Sequence, residues 1–282
     1  MRKFHVAVVA VAAVSLALTA GAFASWPAGR AGAGADPGSS IQPGHPMVLA
    51  RSNPSPAIRS ARSTRRIDST NWAGFAAARP GTAFRYVQAT FFVPYVNCTS
   101  TPNAFSSHWV GLDGLNSRTV EQLGVEAGCA GSIPEYYAWY EMYPGNESSV
   151  FFVKPGNSIV ASVRYNWRDK IFALTLDDTT TGQHFSRFLK CAASSCPRSS
   201  AQVISESPSD SAGRALPLAD YRASGFSDIT VADSLGHRGT LSSRWWNTDQ
   251  IIEVGGSSGS VTARPTSLFR GRAFGNYWFR ES

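Results

Sequence analysis

Three stretches of the chain gather side chains able to move protons or stabilise charge. They are residues 107–114 (SHWVGLDG) with 120–124 (VEQLG) close behind, residues 136–144 (YYAWYEMYP), and residues 201–206 (AQVISE). Asp113, Glu141 and Glu206 are among their acids. Hydrolysis without a metal needs such groups, one of which takes a proton from water and returns it to the leaving atom. Most of the commoner catalytic devices are missing from the sequence: there is no His-Glu-x-x-His, no phosphate-cradling glycine loop and no Asp-Thr/Ser-Gly pair. His108, His184 and His237 stand in no recognisable context, so carboxylates are the best candidates for acid–base work.

Cysteine chemistry and metals are poor alternatives. The four cysteines, Cys98, Cys129, Cys191 and Cys196, lack a Cys-x-x-Cys pair, and the five histidines are scattered, so no metal or other cofactor is expected. An even number in an exported chain reads as two disulfides. Three pairings are possible; the short loop between Cys191 and Cys196 favours that bridge and leaves Cys98 with Cys129.

Export is expected from the front of the chain. Arg2 and Lys3 precede an apolar run from Val6 to Ala20, and Ala22, Phe23 and Ala24 form a small-x-small cleavage pattern, so residues 1–24 read as a signal peptide. The run is shorter than the roughly 20 residues a spanning helix needs, which argues against a membrane anchor. Residues 25–66 are rich in Gly, Pro, Ser, Ala and Arg, end in RSTRR, and read as a basic disordered pro-segment or linker. The formal charge of +7 would suggest a nucleic acid partner, but eight of the 26 cations and one of the 19 anions lie in the first 66 residues. The remaining body carries 18 of each, and the nucleic-acid reading falls away.

The elements that must position the three stretches are strands. Val87, Ala89, Phe91 and Val93 recur at the period of a strand with one face on a core, as do Ile159, Ala161, Val163 and Tyr165; a turn at 166–170 then leads to the run 171–176, which makes a hairpin. Further strands are expected at 107–112, 136–142, 201–205, 229–233, 239–244 and 250–254, with at most a short helical turn at 216–221. Many short strands and no helical periodicity argue an all-β domain over 67–282, a sandwich or barrel.

Together with residues 71–74 (NWAG) and 216–220 (LPLAD), the three stretches occur in an order that resembles the glutamic peptidase (eqolisin) family. The resemblance runs from about Ser69 to about Thr240. It implies a secreted, acid-active endopeptidase, made as a preproprotein, on a sandwich of two antiparallel β-sheets of the concanavalin A-like or jelly-roll type, working on proteins or peptides without a cofactor. The family's catalytic glutamine carries to Gln122 and its glutamate to Glu206, while its surrounding residues carry to Trp109, Asp113, Trp139, Glu141 and Tyr143. Tyr137 departs from the family pattern, which often has Asp there. Pepstatin insensitivity follows from the same likeness, and a monomer is expected.

The chemistry suits these residues. Glu206 as a carboxylate can take a proton from attacking water, and Gln122 can donate amide hydrogens to the oxyanion, a contribution on the order of 3 kcal/mol. An ordinary glutamate titrates near 4.3, so an optimum at roughly pH 3 to 5 is expected. Taken singly, Glu206 reads as a solvated strand-end acid, Asp113 and Glu141 as buried acids that bond loops, and the tryptophans as packing. Two rivals remain at this level. A glycosidase would pair Glu141 with Glu206 at about 5 to 5.5 Å with no Gln122 between them; a non-catalytic binding module would use the same aromatic face.

Overall fold

The computed structural model describes Met47–Val48 and residues 64–210, 212–255 and 259–281. The expected signal peptide, and the pro-segment apart from Met47, Val48 and residues 64–66, lie outside the described residues.

Sixteen strands and no helix are found among the described residues. They are β1 (Arg65–Ser69), β2 (Trp72–Ala78), β3 (Phe84–Phe92), β4 (Phe105–Asp113), β5 (Val120–Ala130), β6 (Ile133–Tyr143), β7 (Ser148–Phe152) and β8 (Ser158–Asn166). The second half supplies β9 (Ile171–Asp178), β10 (Gln183–Leu189), β11 (Ser200–Glu206), β12 (Ala223–Asp233), β13 (Arg238–Gly239), β14 (Asn247–Val254), β15 (Val261–Pro265) and β16 (Phe274–Trp278). The expected all-β class holds. Strand pairing is antiparallel except for β1 on β14, in the order β10-β9-β8-β3-β12-β16-β15-β14-β2-β11-β4-β5-β6-β7, with β13 beside β12.

This continuous sheet bends back on itself, so that β3, β8 and β9 face β4 and β5. The main core lies between them. It takes Val87, Ala89 and Phe91 from β3, Ile159, Ala161 and Val163 from β8, and Phe172, Leu174 and Leu176 from β9. These meet Val110 and Leu112 of β4, Leu123 and Val125 of β5, and Ala201 and Val203 of β11. Each large apolar side chain so buried contributes about 1.5–3 kcal/mol. Disulfides join Cys98 to Cys129 and Cys191 to Cys196.

Two expected elements come out differently. Residues 216–221 form no helical turn, because the backbone is drawn into pairing with the start of β4: Phe105 N–H donates to Pro217 C=O, and Ala219 N–H to Phe105 C=O. The expected strand at 239–244 stops after Gly239. Ser243 Oγ accepts the Thr240 N–H and Ser243 N–H returns a bond to Thr240 C=O, closing a turn.

Candidate active site

Strands β2, β11, β4, β5 and β6 lie side by side, and their register builds rows of residues that share one face. Glu206 pairs with Trp72 and Ser107, Ser107 with Glu126, and Glu126 with Tyr137. The next row aligns Ile204, Trp109, Gly124 and Trp139; then come Gln202, Gly111, Gln122 and Glu141; then Asp113, Val120 and Tyr143. All seven residues singled out in the sequence therefore share the face opposite the main core. Trp109, Asp113, Gln122, Trp139, Glu141 and Glu206 are fully buried there, and Tyr143 is half-buried.

Trp109 is the centre of the face. Glycines make room for it: a Cβ at Gly124 would come 2.5 Å from Trp109 Cβ, and one at Gly111 would come 3.0 Å from both Trp109 Cζ3 and Gln122 Cβ. The Trp72 ring packs on it edge to face at 5.0 Å. Glu206 and Gln122 lie on either side, each one strand and one same-face step from Trp109.

Glu206 is held from two directions. Trp109 Nε1–H donates to its Oε2 at 2.8 Å, and Asn71 Nδ2–H to its Oε1 at 3.2 Å. Ser69 Oγ–H in turn donates to Asn71 Oδ1, which fixes the amide. Gln122 Nε2–H donates to Glu141 Oε2 at 2.7 Å. Burial pushes the Glu141 carboxyl well above the usual range, against the lowering effect of that hydrogen bond. Gln122 thus stands in the row between Glu141 and the strand that carries Glu206, the arrangement opposite to what a Glu141–Glu206 glycosidase pair requires.

Asp113 is tied into loops. Its carboxylate accepts the backbone N–H groups of Arg198 and Ser199 and the hydroxyls of Ser117, Ser199 and Thr119, so it clamps the β4–β5 loop to the chain entering β11. Trp139 packs with Trp72, Trp109, Leu115 and Val120, and Tyr143 packs against the same cluster.

Three further residues belong to the face. Asn71 was part of the NWAG stretch but had no role assigned to it. Glu126 could have been found by counting alternate residues from Gln122; its carboxylate accepts the Ser107 hydroxyl and the Ser106 N–H, and burial pushes it well above the usual range. Glu147, on no recognised stretch, hydrogen-bonds the Tyr137 hydroxyl and is pushed up to about 8, chiefly by burial. An acid thus returns beside Tyr137, where the expected Asp is missing.

The peptidase A4 family model matches residues 70–266, which spans every row of this face. The chain belongs to the peptidase A4 family. Solved structures agree. The crystal structure of scytalido-glutamic peptidase with a peptide-based transition state analog is 26% identical, with a TM-score of 0.63, over 74% of this chain and 98% of that one. The eqolisin SCP-B, solved with the tripeptide Ala-Ile-His, is 25% identical over the same shares at a TM-score of 0.61. Aspergilloglutamic peptidase from Aspergillus niger, at 22% identity and a TM-score of 0.52 over 62% of this chain and 99% of that one, shares the fold. No curated protein matches in a sequence comparison. This A4 peptidase is accordingly a glutamic endopeptidase, and the face around Trp109 is its candidate active site.

Proposed function

We propose that this peptidase is an exported, acid-active, pepstatin-insensitive endopeptidase whose catalytic pair is Glu206 and Gln122. The observation that carries the reading is their placement on either side of Trp109, with Glu206 bonded by Trp109 and Asn71 and the Gln122 amide plane set by Glu141. The Glu206 carboxylate takes a proton from water as the water oxygen attacks the scissile carbonyl carbon. The carbonyl becomes an oxyanion, and Gln122 donates an amide hydrogen to it while its other hydrogen stays on Glu141. The protonated Glu206 then gives its proton to the departing nitrogen, the C–N bond breaks, and the carboxylate is regenerated.

Acid pH suits this cycle, because the same carboxyl must serve in both forms. The sandwich of two antiparallel sheets, the signal peptide over 1–24, the pro-segment over 25–66 and a catalytic domain over 67–282 belong to the same reading. So does action as a monomer on protein or peptide substrates. The two disulfides are consistent with an exported protein. The test is cleavage of a denatured protein at about pH 4 with pepstatin present, comparing the wild type with Glu206→Gln and Gln122→Ala. Loss of activity by about a hundredfold or more in both folded variants supports the pair. Normal cutting by either removes that residue from it.

A further inference from the structure

Met47 and Val48 precede β1 in the chain, yet they lie against the active-site face. Met47 N–H donates to Gly114 C=O at 3.2 Å, and Thr70 N–H donates to Val48 C=O at 2.9 Å. Val48 N–H donates to Asn71 Oδ1 at 2.9 Å. Both amides and the Val48 carbonyl are thus engaged from outside the segment, which is how an extended peptide is gripped through its main chain.

The anchors bracket Trp72. Thr70 and Asn71 precede it directly, while Gly114 lies against the far edge of its ring: φ there is +95°, and a Cβ would come 2.8 Å from Trp72 Cη2. Met47 packs against the cluster of Trp72, Trp109, Leu115, Val120 and Trp139. A flexible thioether suits such flat aromatic walls, whereas a charged side chain would have to be stripped of water. Asn71 joins the two events, since one end of its amide takes the Val48 N–H and the other donates to Glu206.

We propose that Met47–Val48 holds the place of a substrate chain. Gly114 C=O, Thr70 N–H and the Asn71 amide are then main-chain anchors for substrate, and the tryptophan-walled space that receives Met47 is a subsite for a long, unbranched apolar residue. This rests on the peptidase reading above.

Two measurements test it. The first is hydrogen exchange at the Thr70 amide in the full chain carrying Glu206→Gln, which prevents self-processing. Met47→Asp and Val48→Pro should speed that exchange by about tenfold or more, and Met47→Leu should leave it slow. Equal exchange in all four proteins overturns the docking. The second is kcat/KM for the active enzyme on peptides in which Met, Leu, Asp or Lys is moved through each position. Preference for Met and Leu over Asp and Lys by about tenfold at one position supports the subsite. Turnover without any such preference overturns it and leaves the peptidase reading standing. Faster exchange in the variants with no turnover of any peptide would instead sink the peptidase reading and leave only a docked segment.

Discussion

Trp109 donates its indole hydrogen to Glu206 across 2.8 Å, with both residues fully buried. A hydrogen bond to a carboxylate favours the charged form and is worth more than one between neutral groups. The aromatic residue at the centre of the face therefore fixes the position of the carboxyl proposed as general base.

Trp109→Phe retains a ring over Gly111 and Gly124 and removes that donor. The enzyme should stay folded, lose about ten- to hundredfold in kcat, and show the acid limb of its pH–rate profile displaced to higher pH. An unmoved limb in a folded variant would show that this bond does not govern the ionisation used in catalysis.

Glu141 offers a second test on Gln122. Burial pushes its carboxyl well above the usual range and so favours the protonated form, which meets Gln122 through the 2.7 Å bond it accepts. Glu141→Gln keeps an acceptor and should retain activity to within about tenfold with an unaltered pH profile; Glu141→Leu lets the Gln122 amide turn and should lower kcat by about ten- to hundredfold at similar KM. A shifted profile in Glu141→Gln would make Glu141 the titrating group.

What was legible in the sequence follows from where solvent lies. Strands β3, β8 and β9 put one face on the core and the other toward water, so Val87, Ala89 and Phe91, or Ile159, Ala161 and Val163, alternate visibly. Strands β2 and β5 are buried almost throughout, on the core side and on the site side alike. WAGFAAA accordingly carries no alternation, whereas in VEQLGVEAGCA the run Leu123, Val125, Ala127 and Cys129 alternates with Gln122, Gly124, Glu126 and Gly128, and both strands enter the sequence reading only as motifs. The residues singled out inside the motifs share the face opposite the core. Glu126 stands in that alternation but beyond the VEQLG motif, and Asn71 meets Glu206 across 135 positions, so neither is marked by a single motif. Met47 lay in a segment whose composition promised no packing at all.

The same two-sided burial makes the glycines of β5 sensitive. A Cβ at Gly124 would stand 2.2 Å from His108 C=O and 2.7 Å from Trp109 Cα, both backbone atoms of the neighbouring strand. Gly124→Ala must therefore push β4 and β5 apart under Trp109. A loss of about 3 kcal/mol or more is expected in denaturant unfolding, whereas Gly81→Ala, with φ of +71° and nothing within 4 Å, should cost about 1 kcal/mol. Equal costs would mean that β4 and β5 are not so tightly apposed.

Stability should also fall as pH rises from acid toward neutral. Burial raises Glu121, Glu126 and Glu141 well above the usual range, Glu147 to about 8 and Glu253 to about 7. Each holds a proton in the folded state that the unfolded chain has already released, so its contribution is complete below the ordinary glutamate value and is lost as pH climbs through the folded one. His108 opposes this: burial lowers it to about 3, so the unfolded chain takes up the proton first and acid weakens the fold below about pH 6.5. Five carboxyls against one imidazole leave the net slope downward between about pH 4.5 and 7. Glu253 alone, raised to about 7, accounts for a loss on the order of 3 kcal/mol once it ionises. The thermal midpoint should thus drop by roughly 10 °C or more between about pH 4.5 and pH 8, measured on the Glu206→Gln protein so that self-cleavage does not intervene. Glu253→Gln should flatten part of that slope, and a midpoint that rises toward neutral pH would show that these carboxyls are ionised in the folded protein.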